Sequence, residues 1–417
     1  MASEEASVWI GSQQDAMVDL QRELTARPAI GPDNDGDGEW EKARFLEDYL
    51  RRHGIDQIEH LDCPDDRVPE GSRPNFIATI PGLREEPAVW VLTHLDVVPP
   101  GEKAADGTWK GWDTDPFCVQ RVGEMIVGRG VSDNQQSIVS SIFGVLALLE
   151  NDIRPAHTVR LLFVSDEETG SAYGLEHLLE EYADRFPKND AYIVPDAGNE
   201  DGSMVEIAEK SVLWLEFRVQ GKQAHGSRPD RGINAFRAAS RLVYLLDTAL
   251  SDRFDKVDHL YEPPSSTFEP TLHKANVPNV NTIPGEDVFC FDCRVLPDYK
   301  LDSVLDSVRA ECRSVDASSG TETEVIVRNR MDAPRATPSD ASAVRLLCTA
   351  VERVLGVAPQ TMGVGGMTVA SMFRSRGLPA AVWMTSSGTE HQTNERCPIA
   401  SMVGDARVFA EVFQTEF

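Results

Sequence analysis

The sequence predicts an α/β protein whose larger domain is a mainly parallel, helix-flanked sheet and whose smaller α+β domain is inserted into it. Three observations predict this. The chain has 417 residues, more than one hydrophobic core usually serves. Short apolar runs ending in acid or histidine alternate with helix-length amphipathic stretches up to about residue 210, the pattern of repeated strand–helix units. The style then changes over 211–329 and resumes over 330–417. The expected organisation is therefore a larger domain of residues 1–210 and 330–417 with an insert of 211–329.

The first helix is expected over Gln13 to Arg27, where Ala16, Met17, Leu20 and Leu24 recur at helical spacing before Pro28. Asp33 to Glu39 begins like a calcium loop, but its twelfth position is Arg44 where a bidentate glutamate is required, so it is read as an acidic loop. A helix over Glu41 to Arg52 follows. Strands are expected at Asn75 to Ile80, closed by Pro81-Gly82, and at Ala88 to Thr93, which runs into His94-Leu95-Asp96. The glycine turn Gly128-Arg129-Gly130 leads to Asp133 and opens a helix to Glu150, with Ile138, Ile142, Val145 and Leu149 on one stripe. Thr158 to Val164 is a strand that delivers Glu167 and Glu168, Gly170 to Arg185 a helix, and Ala191 to Val194 a strand followed by Asp196.

In the insert, strand patterns at Val212 to Val219, Val288 to Val295 and Glu324 to Val327 surround helices near Asn234 to Leu250 and Leu301 to Arg313. An amphipathic helix from about Asp340 to Leu355 and a buried strand at Ala380 to Thr385 return to the earlier style.

With 68 acidic against 40 basic side chains, the formal net charge of −28 disfavours nucleic acid and anionic membranes as partners. No run reaches the roughly 18 apolar residues of a membrane span. The first residues show no basic-then-apolar signal pattern, which predicts a cytoplasmic protein. Dense negative charge also fits a high-salt habitat, where screening makes it tolerable. Seven scattered cysteines suit free thiols in a reducing compartment; Cys290 and Cys293 have CxxC spacing but no second pair.

The polar residues collected at the expected sheet edge are His94, Asp96, Asp133, Glu167, Glu168, Asp196 and, late in the chain, His391. In His94-Leu95-Asp96, side chains two apart on an extended segment share a face, so the carboxylate can orient an imidazole that binds metal. Asp133 reads either as a helix cap or as a bridge between cations. Adjacent glutamates on an extended segment face opposite ways, which gives Glu167 and Glu168 different tasks. Two histidines with several carboxylates suit zinc, cobalt or manganese, and so large a ligand set suggests a metal pair. Such a pair acidifies water and polarises a carbonyl, the chemistry of amide hydrolysis.

The stretches HLDVVP, GRGVSDNQQ, SDEETG, VPDAG, QAHGSRPDRGINA and HQTNE occur in the order found in the co-catalytic zinc aminoacylases and peptidases, which the chain resembles over nearly its whole length. That family includes succinyl-diaminopimelate desuccinylase, acetylornithine deacetylase, carboxypeptidase G and related dipeptidases. The resemblance implies one metal held by His94, Asp133 and Asp196 and a second by Asp133, Glu168 and His391. Asp96 would orient His94, and Glu167 would act as general base and then acid. It implies zinc first, with cobalt or manganese as alternatives.

It further implies that the insert is a lid and dimerisation domain from which His225 reaches a neighbouring site to stabilise an oxyanion. Asn281 and Arg294 match substrate-contacting lid positions, Arg294 suiting a substrate carboxylate; Arg294 could instead pair with Asp292 or Asp298. Gly366 stands in a paired-glycine turn, Gly365-Gly366-Met367, where many members carry a following acid that this chain lacks. Asp196 stands where desuccinylases and deacetylases often have glutamate, which leans toward dipeptidases. The expected activity is cleavage of an N-acyl amino acid with a free carboxylate, of the succinyl-diaminopimelate or acetylornithine type. A metallo-dipeptidase or carboxypeptidase is the alternative, and a non-catalytic metal or peptide binder a remote one.

Overall fold

The computed structural model describes residues 2–417, which divide into two compact units. The first comprises residues 2–207, Thr337–Thr361 and Thr368–Phe417, and the second Ala208–Ala336 and Met362–Met367. The return segment Met362–Met367 thus packs with the second unit although it follows 330 in sequence.

An eight-stranded sheet organises the first unit, in the order Ile58–His60, Phe76–Ile80, His157–Val164, Arg84–His94, Ala191–Asn199, Ala380–Thr385, Met204–Glu209, Gln360–Val364. Its four central strands, His157–Val164 through Ala380–Thr385, are parallel, with Val91 opposite Leu161 on one side and Ile193 on the other. Antiparallel neighbours flank them, Phe76–Ile80 on one side and Met204–Glu209 on the other, so the sheet is mixed. Trp90, Leu92, Leu162, Val164, Tyr192 and Val194 form one apolar face and pack against Leu175, Leu178 and Phe373 of short helices. Each such side chain contributes about 1.5–3 kcal/mol when fully buried.

The helix Gln135–Glu150 packs on the sheet beside the helix Ile399–Gln414 and also meets Ala2–Ser12 and Gln14–Thr25. It is therefore buried on nearly all sides, wider than the single stripe its sequence suggests. Gly144 makes the approach of these two helices feasible: a Cβ there would meet the Cβ of Phe409 at 2.9 Å. Two local expectations are corrected. A helix Ala2–Ser12 precedes Gln14–Thr25, and the stretch expected as one helix from Gly170 to Arg185 is helical only over Leu175–Glu181, with a 3-10 turn at Ala183–Arg185.

The second unit has a four-stranded antiparallel sheet, in the order Thr267–His273, Glu286–Val295, Ser211–Gln220, Glu322–Met331. Leu213, Leu215, Phe217 and Val219 point to one face, as strand alternation requires, and meet the helices Ala235–Arg253 and Leu301–Ser319. Asn234 caps the first of these, its side chain accepting the Arg237 N–H at 3.0 Å. The edge strand Thr267–His273 is an addition to the sequence reading. Cys293 belongs to this core, where burial pushes its thiol up to about 12, and all seven cysteines are free.

Candidate metal centre

Three adjacent parallel strands build the centre at their carboxyl ends. From Arg84–His94 the chain goes first to its neighbour His157–Val164 and later to Ala191–Asn199 on the opposite side. Such a reversal of strand order leaves a crevice beyond the strand ends, where ligands of open α/β sheets bind. His94 closes the first strand, Glu167 and Glu168 follow the second, and Asp196 lies within the third. Asp133 stands two residues before the helix Gln135–Glu150, whose cap position is Asn134, so Asp133 is not the cap.

These side chains converge. His94 Nε2 lies 2.8 Å from Asp133 Oδ1 and 3.4 Å from Asp196 Oδ1. His391 Nε2 lies 3.0 Å from Asp133 Oδ2 and 3.1 Å from Glu168 Oε2. The two oxygens of Asp133 thus face two different histidines. Donor atoms of His94, Asp133 and Glu168 fall within 4.8 Å of one another, as do those of His94, Glu167 and Asp196. Glu168 Oε1 is buried with no hydrogen-bond partner among the described residues. A buried carboxylate oxygen left open among imidazole and carboxylate donors fits a divalent cation of the zinc, cobalt or manganese kind.

The electrostatics follow from crowding acids around two imidazoles in a poorly solvated crevice. Burial works against the His94 imidazolium, but Asp133, Asp196 and Asp96 override it and hold its pKa well above the usual range. Hydrogen bonds to Asp133 and then Glu168 raise His391 to about 10. Burial, with Asp196 next, pushes the Glu167 carboxyl well up. Burial likewise raises Glu168, against the pull of His391.

Asp96 does more than its sequence position suggests. His94 Nδ1 sits 3.0 Å from the Asp96 backbone carbonyl and 3.4 Å from its carboxylate. That carboxylate accepts the backbone N–H groups of Glu167 at 3.1 Å and Glu168 at 3.0 Å. The two glutamates do not continue an extended strand, which corrects the sequence argument: they start a 3-10 turn after Asp166, whose φ of 66° is left-handed. Asp166 in turn accepts the Tyr173 N–H, and the fully buried pair Arg73–Glu39 lies beneath it, with Arg73 Nη1 3.5 Å away. Breaking that pair would leave a buried charge, at about 3–5 kcal/mol. Lys42, also buried, donates to the Leu95 carbonyl at 2.8 Å, and burial lowers its ammonium to about 8.

One further residue escaped the sequence reading. Glu395, fully buried, accepts hydrogen bonds from three backbone N–H groups and one guanidinium of the segment carrying Asp133. Its only signal in the sequence was its place four residues after His391.

The remaining expected site residues belong to the second unit. His225 is exposed, its Nδ1 2.8 Å from Ser227 Oγ. Asn281 is exposed, its backbone carbonyl accepting the Gly226 N–H at 2.6 Å. Arg294 pairs with Asp292 through Nε at 2.7 Å and Nη2 at 3.0 Å, while its Nη1 donates to the Gly365 carbonyl at 2.9 Å. The pairing with Asp292, one of the two readings of this arginine, is therefore present. Gly366 is exposed, with nothing within 4 Å of where a Cβ would stand.

A model of peptidase family M20/M25/M40 matches residues 90–415. An uncharacterised metallohydrolase of Methanocaldococcus jannaschii is 35% identical over 412 residues, covering 95% of this chain and 98% of its own. A succinyl-diaminopimelate desuccinylase of Helicobacter hepaticus is 27% identical over 407 residues, covering 95% and 96%. Human carnosine dipeptidase 1 superposes with a TM-score of 0.74 at 19% identity, covering 99% of this chain and 98% of its own. A dinuclear metal binding peptidase of Bacillus subtilis does so with a TM-score of 0.64 at 17% identity, covering 96% and 98%.

Proposed function

The chain belongs to peptidase family M20/M25/M40 and is a metallohydrolase, and from that premise we propose that it is a two-metal amidohydrolase of N-acyl amino acids that carry a free carboxylate. What carries this is Asp133, whose Oδ1 faces His94 and whose Oδ2 faces His391. A carboxylate so shared is suited to bridge two cations. His94, Asp133 and Asp196 would hold one ion, and Asp133, Glu168 and His391 the other. Zinc suits this mixed imidazole and carboxylate set, with cobalt and manganese as alternatives. When bound, the ions supply Lewis acidity toward a carbonyl and a water.

The protein's own groups do the rest. Asp96 fixes the His94 ring and the turn that separates Glu167 from Glu168. Glu167, whose carboxyl burial and then Asp196 push up and so make more basic, would take a proton from the attacking water and return it to the leaving nitrogen. In the second unit, His225 would donate to the developing oxyanion from the partner of a homodimer formed through this unit. Arg294, with Asn281 and the Gly366 turn, would receive the substrate carboxylate.

A second substrate class is favoured by one observation. Asp196 leans toward dipeptidases, and a dipeptide offers the same amide and the same terminal carboxylate. A competitive hydrolysis panel of N-succinyl, N-acetyl and dipeptide substrates, on protein with measured zinc or cobalt content, separates the classes. Preference for the acylated substrates is expected with two ions per chain, and one ion per chain at saturating metal would sink the two-metal proposal. Hydrolysis of none of these substrates would leave only a binding role, and chelator-insensitive hydrolysis would refute the metal-dependent mechanism. The free thiols and acidic surface fit a reducing, cytoplasmic setting.

A further inference from the structure

Glu395 is a buried carboxylate with four donors on two oxygens. Its Oε1 accepts the N–H groups of Ser132 at 2.8 Å and Asp133 at 3.0 Å. Its Oε2 accepts the N–H of Gly130 at 2.9 Å and Arg129 Nη1 at 2.7 Å. Every partner is a donor, so both oxygens must accept, which an ionised carboxylate does and an amide does not. The backbone of Glu395 also takes part, its carbonyl accepting the Gly128 N–H at 3.0 Å. The residue thereby ties two segments together: 128–133, which presents Asp133, and 391–395, which presents His391.

The second of these segments needs holding. His391 and Asn394 adopt left-handed backbone, with φ of 61° and 58°, a region few residues other than glycine enter without cost. Asn394 anchors the outer end of the turn, its Oδ1 accepting the Asp113 N–H at 2.9 Å. Glu395 anchors the inner end. On the opposite flank, Asp133 and Asp196 are joined independently of Glu395, because Asn134 Nδ2 donates to Asp196 Oδ1 at 2.8 Å. The His94 and Asp196 side of the centre therefore has its own support, whereas on the His391 side Glu395 makes four of the ties to 128–133 and Glu390, whose Oε1 accepts the Ser132 hydroxyl at 2.8 Å, makes one more.

We propose that Glu395 is the positioning residue that sets Asp133 against His391, and that through it the ion shared by Asp133, Glu168 and His391 is held more tightly than the loops alone would hold it. The proposal rests on the two-metal reading above. An orienting partner of metal ligands changes affinity about 10–100-fold when removed. Here that change is expected at one position of the pair and much less at the other.

The test is metal titration of the full-length protein with zinc alone, followed by calorimetry and by bound-metal analysis, on wild type, Glu395→Gln and Glu395→Asp. Wild type is expected to bind two ions. Glu395→Gln, which turns an NH2 toward N–H donors, should bind one with near-wild-type affinity and the second about 10–100-fold more weakly. Glu395→Asp keeps the charge but loses reach and should fall between the two, and it decides the matter if the glutamine variant does not fold. Asp190→Asn is the structural control. Asp190 is a buried carboxylate at the far end of the same sheet, accepting the Ala88 N–H and Trp90 Nε1–H at 2.9 and 2.7 Å. It should lower the melting temperature and leave both zinc affinities alone. Equal weakening of both ions, or two wild-type affinities in the Glu395 variants, would overturn the proposal while leaving the two-metal reading standing. Wild type that binds fewer than two ions would overturn both.

Discussion

His94 and His225 are both histidines in family-like motifs, and their surroundings could hardly differ more. His94 is 2% exposed, contacted on both nitrogens, and hemmed in by carboxylates that are themselves fixed by backbone N–H groups. His225 is exposed, and its ring bonds to Ser227 of its own turn. A similar contrast runs through the two units: the first holds His94, Asp133 and Glu168 among buried acids, with His391 alone of its histidine ligands exposed, whereas the second offers His225 and Asn281 on exposed turns. A rigid set suits cations, which need fixed distances. An exposed set suits groups that meet substrate or a second subunit.

Mutations in the first unit should therefore have the larger effects and change metal content, and those in the second should act on substrate alone. Asp133→Ala has the largest expected effect, a loss of kcat/KM on the order of 10⁴-fold or more with both ions gone, since it removes the shared ligand and the Lewis acidity that depends on it. Bound metal measured by emission spectroscopy checks this, and retention of two ions would refute the bridge. Glu167→Gln should cost about 10³-fold in kcat with metal content unchanged. His225→Ala should cost about 10²-fold in kcat, again with two ions bound. If His225→Ala lost metal, the contrast between the units would be wrong. Mixing His225→Ala with Glu167→Gln sharpens it: a His225 supplied by a partner predicts recovered activity in mixed dimers.

Much of the first unit could be read from the chain because strand ends are local. The run before His94, the acids after Val164 and the glycine turn before Asp133 each announce themselves within ten residues. The clamps cannot be read this way. Asp96 bonds to Glu167 and Glu168, 71 and 72 positions away, and Glu395 bonds to a segment more than 260 positions away. That distance also explains the misjudged turn, since Asp96 draws both glutamate N–H groups to one side and the strand has already ended. Thr267–His273 was missed for another reason. Six of its seven residues are not buried and Pro270 interrupts it, so it shows no alternation to find.

Arg294 tests the second unit more finely. Its Nε and Nη2 are taken by Asp292, so a substrate carboxylate would have to compete with that pair or share it. Arg294→Ala is expected to raise KM about tenfold, about 1.4 kcal/mol, with kcat and metal content steady. Asp292→Asn, which frees the guanidinium, should lower KM instead. Steady-state kinetics on both variants decides between a substrate-binding and a purely structural arginine, because the structural role predicts a lower melting temperature in each and no opposed change in KM.

The smallest effect expected concerns the acidic surface charge. Moving from 0.1 M to 1 M salt shortens the screening length from about 10 Å to about 3 Å, which relieves repulsion among exposed acids. Buried groups such as Glu395 and Asp96 are shielded from that change by the protein itself. An excess of 28 negative charges should therefore make thermal stability rise between low and molar KCl, while zinc affinity, set by the buried clamps, moves little. Melting curves and zinc titrations run across the same salt series read the two quantities side by side. Stability that ignores salt would mean the surface acids are already balanced locally, and zinc affinity that falls in parallel with added salt would mean the clamps are less closed to solvent than their burial indicates.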